Sequence, residues 1–251
     1  ECVERGWLAP GPRFGDGPSL LGTIEDIALR RGVGEVLAEG SRRAADRIGH
    51  GARAIAPQVK GLELPGYEPR ALHAQALGFA VGSRGADHNR APAYEVDFSE
   101  RADRLRGDAR SVVGVVATED RAAVMDSLIL CKFLRAAFYD FYREAAEMLE
   151  AVTGWPITGE SLREVGARIV TLRKRYNVGA GWRPEDDTLP DRFFDERLVE
   201  AGAPEGSLSR DRLAAMIRAY YRARGWSASG YPPGVGDAWP MTIATTEEPA
   251  G

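Results

Sequence analysis

Residues 160–176, Glu160-Ser161-Leu162-Arg163-Glu164-Val165-Gly166-Ala167-Arg168-Ile169-Val170-Thr171-Leu172-Arg173-Lys174-Arg175-Tyr176, decide the fold class. Leu162, Val165, Ile169, Leu172 and Tyr176 recur at steps of three and four, which lines one face of a helix. Upstream, Leu134, Phe138, Phe141, Ala145, Met148 and Val152 recur in the same way, so the pattern reads as helical almost throughout from Glu119 to Val152. Gly154-Trp155-Pro156 ends it. Downstream, a last helix starts near Ser209, carries Leu213, Met216, Ile217, Tyr220 and Tyr221, and stops at Gly225. Residues 180–206 read as loop around Asp186-Asp187-Thr188-Leu189-Pro190, and a Pro- and Gly-rich tail follows from Trp226.

The first half is shorter-winded. Glu1 to Leu8 reads as the last turns of a helix ending at Gly6. Thr23 reads as an N-cap with Glu25 and Asp26 in the first turn, and that helix stops near Gly32. A second helix is expected over Val36–Ile48, closed by Gly49. Prolines and glycines from Pro57 to Pro69 forbid a regular helix and allow a short extended piece. Residues 71–82 predict a short buried helix, and 95–112 a solvated charged stretch. No alternating β pattern of useful length is present. The class is all-α and multihelical, with long irregular loops and a boundary that divides 1–56 from 57–251.

The chain has 251 residues, a net charge of −4, 44% hydrophobic and 28% charged residues. That suits a soluble enzyme-sized fold, and the acidic balance argues against nucleic acid. No run is long enough to span a bilayer and no leader is visible, so no membrane is expected. Two cysteines far apart do not make a disulfide framework, and the simplest setting is cytoplasmic.

Several landmarks in order carry a resemblance. They are Leu37-Ala38-Glu39-Gly40, the stretch Lys60-Gly61-Leu62-Glu63-Leu64-Pro65-Gly66-Tyr67-Glu68-Pro69-Arg70, and Arg84-Gly85-Ala86-Asp87-His88. Then come Asp126-Ser127-Leu128-Ile129-Leu130-Cys131-Lys132-Phe133, Asn177-Val178 with Gly181-Trp182, Asp186 to Phe193, and Tyr220-Tyr221-Arg222-Ala223-Arg224-Gly225-Trp226. Together these resemble the C-terminal helical domains of the aldehyde:ferredoxin oxidoreductases, which carry tungsten or molybdenum on two pterins. The resemblance implies residues 1–56 as the end of a middle domain and 57–251 as the C-terminal domain. It implies an enzyme that oxidises an aldehyde to a carboxylate and passes electrons through a [4Fe-4S] cluster to ferredoxin. It leaves open other carbonyl or aromatic acyl substrates, and a helical scaffold without activity is the alternative from another class.

The β-rich N-terminal domain and the CxxCxxxC run of that family have no counterpart in this sequence. The expectation is therefore a fragment or a split-gene subunit whose partner is the N-terminal part of the same enzyme, with no activity and no cluster alone. A homodimer stays open, although no histidine precedes His50 to bridge one through a metal.

By resemblance, Cys131 is one thiolate of the cluster, since four are needed. Asp126, Leu130, Cys131 and Lys132 line the pterin, Asp126 as an acceptor for pterin N–H groups; its bland alternative is a helix N-cap or first-turn acid. His88 is the catalytic candidate, because an imidazole titrates near neutrality. Arg84 and Arg90 are candidate contacts for the anionic pterin or, equally, surface ion pairs. His50 and His73 read as structural. The basic group Arg163, Arg168, Arg173, Lys174 and Arg175 shares its helix with Glu160 and Glu164 and reads as a solvated face.

Overall fold

A computed structural model describes residues 1–9, 11–100, 102–198 and 206–234. The tail beyond 234 and residues 199–205 of the 180–206 loop lie outside the described residues. Within them are eleven α-helices and one two-residue-per-strand hairpin, which fits the expected all-α class.

Near the N-terminus, Trp7 N–H to Cys2 O at 2.8 Å and Gly6 N–H to Val3 O at 3.1 Å close a turn on Gly6, where the sequence reading expected the end of a helix. Helix α1 (Gly17–Leu29) starts earlier than Thr23: Asp16 caps it by accepting from the Ser19 N–H. Thr23 lies mid-helix, buried, its hydroxyl donating to Ser19 O, so the N-cap assignment is corrected. The helix expected over 36–48 divides into α2 (Val33–Leu37) and α3 (Ser41–Ile48), because Gly40 takes φ +80° between them. Helix α4 (Ala52–Ile55) follows. These helices border a broad apolar hollow of about 1120 Å³, lined by residues including Leu8, Phe14, Leu20, Leu37 and Ile48.

Strands β1 (Gln58–Val59) and β2 (Leu62–Glu63) pair antiparallel, with Gln58 opposite Glu63 and Val59 opposite Leu62. Lys60 and Gly61 at the turn both have positive φ, as a two-residue hairpin of this hand requires.

Helix α5 (His73–Val81) is the expected buried helix, and all nine residues are buried. Such a helix cannot satisfy its ends with water. Asp97 reaches across from α6 (Tyr94–Asp97) to accept from the Ala74 and Gln75 N–H groups at 3.0 and 2.8 Å. Burial pushes the Asp97 carboxyl up to about 7, with those two N–H groups only partly offsetting it. Asp97, Val96 and Ser111 are buried, so the 95–112 stretch is only partly solvated as expected.

Helix α7 (Ala109–Ser127) begins well before Glu119, capped by Asp108. The helix expected to run on to Val152 stops instead at Ser127 and resumes as α8 (Phe141–Thr153), with a 3-10 turn over Lys132–Ala136 between. Leu130 N–H to Met125 O at 2.9 Å and Ile129 N–H to Asp126 O at 3.3 Å form a Schellman-type stop. Its left-handed residue is Ile129, φ +58°, where glycine is usual. A β-branched side chain gives no sign in sequence that a helix ends there.

Helix α9 (Gly159–Gly179) packs on α7, and its buried residues are Leu162, Gly166, Val170 and Lys174. The stripe read from sequence is therefore rotated: Leu172 and Tyr176 are exposed. Gly166 faces α7 so closely that a Cβ would lie 2.6 Å from Asp120 O, and this sets the buried face. After α10 (Arg192–Asp195), helix α11 (Arg210–Ala223) closes the core with Leu213, Met216, Tyr220 and Tyr221. Arg224 at its end is buried and bonds Asp120 at 2.5 Å and Glu119 at 2.7 Å, while the Tyr220 hydroxyl donates to Glu119.

Candidate cofactor-facing site

The loop after α5 is wound tightly enough to need glycine. Gly85 has φ +92°, and a Cβ there would lie 2.0 Å from Val59 O, so the hairpin lies directly against the Arg84–His88 motif. From the other side, the Gln75 amide accepts the Tyr94 N–H and donates to Ala91 O, which binds residues 91–94 to α5.

Asp87 is the inner pin of the loop. It is buried and accepts from the Asn89 N–H at 2.8 Å and Arg84 Nε at 2.6 Å, with Arg90 Nε 3.9 Å away. Burial pushes its carboxyl up, but the Asn89 amide and the Arg84 guanidinium outweigh that and hold it below the usual range. Arg84 and Arg90 thus do form ion pairs, both to the same carboxylate. Burial and the neighbouring Arg173 and Arg84 push Arg90 below its ordinary value, so the guanidinium groups crowd one another.

His88 is half-buried and packs on aromatic rings, 5.3 Å from Tyr67 and 6.3 Å from Tyr94 between centroids. Tyr67 and Tyr94 are themselves stacked at 4.6 Å. The Tyr94 hydroxyl accepts from Arg135 at 2.6 Å, and burial raises its pKa, only partly offset by Arg135. Arg135 and Arg121 share Glu95, at 2.7 and 2.5 Å.

The 126–135 segment borders this loop. Asn89, Tyr94, Met125, Lys132 and Arg135 line one small cleft. Asp126 lies in the last turn of α7, not at an N-terminus, which removes the capping alternative. It is accessible rather than buried, and pairs with Lys132 at 2.8 Å and Arg173 at 3.4 Å. Lys132 also donates to Ala122 O at 2.8 Å, and so is tied down rather than extended into solvent. Leu130 is partly buried against the Val124–Phe141 cluster. Cys131 is exposed and free at the start of the 3-10 turn. Among the described residues, no three His, Cys, Asp or Glu side chains gather to hold a metal.

His73 is wholly buried, its Nε2 3.1 Å from Ser207 O, and His50 is exposed with its ring stacked on Trp7 at 5.9 Å. The basic group on α9 is a solvated face only in part: Arg163, Arg168 and Arg175 are exposed, Arg173 is half-buried and Lys174 is buried. Arg173 reaches Asp126, Arg163 covers the Tyr142 ring at 4.2 Å, Arg175 bonds Pro233 O, and Lys174 is buried.

Lys174 belongs to a second cluster beneath the loop. Asp187, also buried, takes four donors: Lys60 at 2.9 Å and Trp182 Nε1 at 2.8 Å on Oδ1, Lys174 at 2.9 Å and the Tyr221 hydroxyl at 2.7 Å on Oδ2. Burial pushes Lys174 down to about 8, partly offset by Asp187. Burial raises the Asp187 carboxyl as well, yet Lys60 and Lys174 outweigh it and the net direction is down. Sequence reading gave no role to Tyr67, Tyr94, Arg135, Lys60, Asn177 or Asp187. Several of these lie within the quoted landmarks, but nothing local in a Lys or Tyr shows which partner it meets.

Residues 1–234 match the family model described as aldehyde ferredoxin oxidoreductase, domains 2 and 3. The tungsten-containing aldehyde ferredoxin oxidoreductase of Pyrococcus furiosus is 36% identical over 245 residues, covering 93% of this chain and 39% of that protein. The WOR-like subunit of an aliphatic sulfonate oxidoreductase from the same organism is 28% identical over 230 residues, 87% of this chain and 34% of its own length. Among solved structures, the active-site complex BamBC of benzoyl coenzyme A reductase, with a dienoyl-CoA, is similar in fold at a TM-score of 0.67 and 19% identity, over 92% of this chain and 40% of that one. The chain thus spans about two fifths of the relatives it matches. Among the described residues no helix is long and apolar enough to cross a membrane.

Proposed function

The chain belongs to the aldehyde ferredoxin oxidoreductase family, and from that premise we propose that it is the C-terminal part of a tungsten- or molybdenum-pterin enzyme. The reaction proposed for the whole enzyme converts an aldehyde and water to a carboxylate, three protons and two electrons, the electrons going to ferredoxin. The metal–pterin centre, when bound, supplies the two-electron acceptor. Residues 1–56 are read as the end of the middle domain and 57–251 as the C-terminal domain. The remaining cofactor ligands come from the N-terminal domain or subunit.

One observation carries the reading. The loop with His88, Arg84 and Arg90 and the segment with Asp126 and Lys132 border one another around Arg173 and a shared cleft. The crowded guanidinium groups suit the anionic groups of a pterin cofactor. Asp126 uses two acceptor positions on Lys132 and Arg173, and a carboxylate has about four, so further N–H donors can be accepted. Leu130 packs into the Val124–Phe141 cluster, and Cys131 offers an accessible thiol as one of the four thiolates of a [4Fe-4S] cluster. His88 takes or delivers the proton at the substrate, with Tyr67 and Tyr94 holding its ring.

The test is His88→Ala in the complete enzyme. Turnover with aldehyde falls by about 10²–10⁴-fold while metal and pterin content stay at wild-type level. Unchanged activity from about pH 6 to about pH 9 would make His88 a packing residue like His73.

A further inference from the structure

The loop that carries His88, Arg84 and Arg90 has no secondary structure of its own, yet two of its carbonyls are held by side chains from remote parts of the chain. The Lys60 ammonium has three protons and three acceptors: Asp187 Oδ1 at 2.9 Å, Ala80 O at 2.5 Å and Gly82 O at 3.2 Å. The last two are carbonyls at the C-terminal end of α5, which an α-helix leaves unpaired and where a cation is favoured. One residue on, the Asn177 amide donates to Ser83 O at 2.5 Å. Gly82 leaves no room for a side chain, since a Cβ would lie 2.8 Å from both Gly78 O and Gly85 O. The loop is therefore held at its first two residues, and again at Gly85 by the hairpin.

Lys60 is itself held. It is in the left-handed region at the hairpin turn, and its ammonium reaches inward to a carboxylate whose four acceptor positions are all filled. The second ammonium on that carboxylate, Lys174, lies 3.1 Å from the centroid of the Trp182 ring. Removing Asp187 would leave two buried cations facing each other, so the pair keeps Lys60 aimed at α5 and the loop.

We propose that Lys60 and Asn177 are positioning residues for the 82–90 loop, and that the buried Asp187–Lys174 pair holds Lys60 in that role. What the loop does once positioned rests on the reading of His88 given above. A displacement of about 1 Å in a reacting group costs on the order of 10²-fold in rate, which is the scale on which such anchoring matters.

The experiment uses the complete enzyme with Lys60→Met and Asn177→Leu, each alone and combined with His88→Ala. Hydrogen exchange of peptides covering 82–90 reads the loop directly, and peptides from α8 serve as the internal reference. Each single variant is expected to speed exchange in the loop by about tenfold with α8 unchanged, and to lower kcat by roughly 10- to 100-fold. In the His88→Ala background the same changes should add little further loss. Loop exchange that stays at the wild-type rate in both variants overturns the proposal, and so does a full multiplicative loss of kcat on top of His88→Ala. If His88→Ala proves as active as wild type, the catalytic reading of His88 falls, and the exchange rates alone decide the positioning. Should Lys60→Met not fold, Asn177→Leu carries the test, because Asn177 touches the loop and not the buried charge pair.

Discussion

Helix α5 has nine buried residues, a charged side chain from elsewhere at each end, and glycine where other backbone approaches. Residues 128–139 are the reverse: Ile129 is 92% exposed, Phe133 89% and Tyr139 99%, the backbone is left-handed at an isoleucine, and Cys131 faces outward. One half of the candidate site therefore stands on a core that this chain completes by itself. The other half presents apolar side chains and a thiol on a surface whose backbone is held in an unfavourable conformation. Backbone strain of that kind costs about 1–3 kcal/mol and tends to be kept where function requires it.

The largest test of that contrast compares Phe79 with Phe133. Phe79 is fully buried beside α10 and α11, so Phe79→Ala should cost about 3–5 kcal/mol in chemical denaturation. Phe133→Ala should stay within about 0.5 kcal/mol, as surface changes usually do. Equal losses would mean that residue 133 is packed, and the comparison would break.

The next effect comes from the cap of α5. The folded-state pKa of Asp97, about 7, lies above an unfolded value of about 3.9. The folded state then binds more protons than the unfolded one between those values. The contribution of Asp97 is full below about pH 4 and is lost as pH rises through about 7, on the order of 4 kcal/mol. Denaturation midpoints of the wild type should fall over that window relative to Asp97→Asn, whose side chain does not titrate. Parallel curves for the two proteins would show that the cap does not set the pH dependence.

The smallest expected change has the opposite sign. Ile129→Gly relieves the left-handed strain, less the greater unfolded-state freedom of glycine, and should raise stability by about 1 kcal/mol. A destabilised variant would mean that the exposed Ile129 side chain makes contacts that outweigh its backbone.

The sequence announced elements well where a turn residue does the work locally. Gly154 ends α8 where expected, Gly6 closes a turn, and Ser209 caps α11. It failed where the cause is a neighbour. The rotated face of α9 follows from the close approach of Gly166 to Asp120, and the stop after Ser127 from an isoleucine that carries no stop signal. Thr23 has the side chain of a cap, but Asp16, seven residues earlier, took the position. The candidate site was legible as a set of landmarks in order, and the two that matter most, 84–90 and 126–132, do border each other. Their supports were not legible: Lys174 looks like one more basic residue of a charged helix, and only the partner Asp187 reveals it as buried.

By itself the sequence determined the helical class, the family and a set of candidate site residues, because periodicity and ordered motifs are written along the chain. Only the tertiary structure decided which carboxylate each lysine and arginine meets, which helix face is inside, and that the loop bearing His88 is held from beneath by Lys60 and Asn177. Many of those contacts join residues about twenty to more than a hundred positions apart, and burial, which raises or lowers the worth of every charge, is a property of the packed chain rather than of any stretch within it.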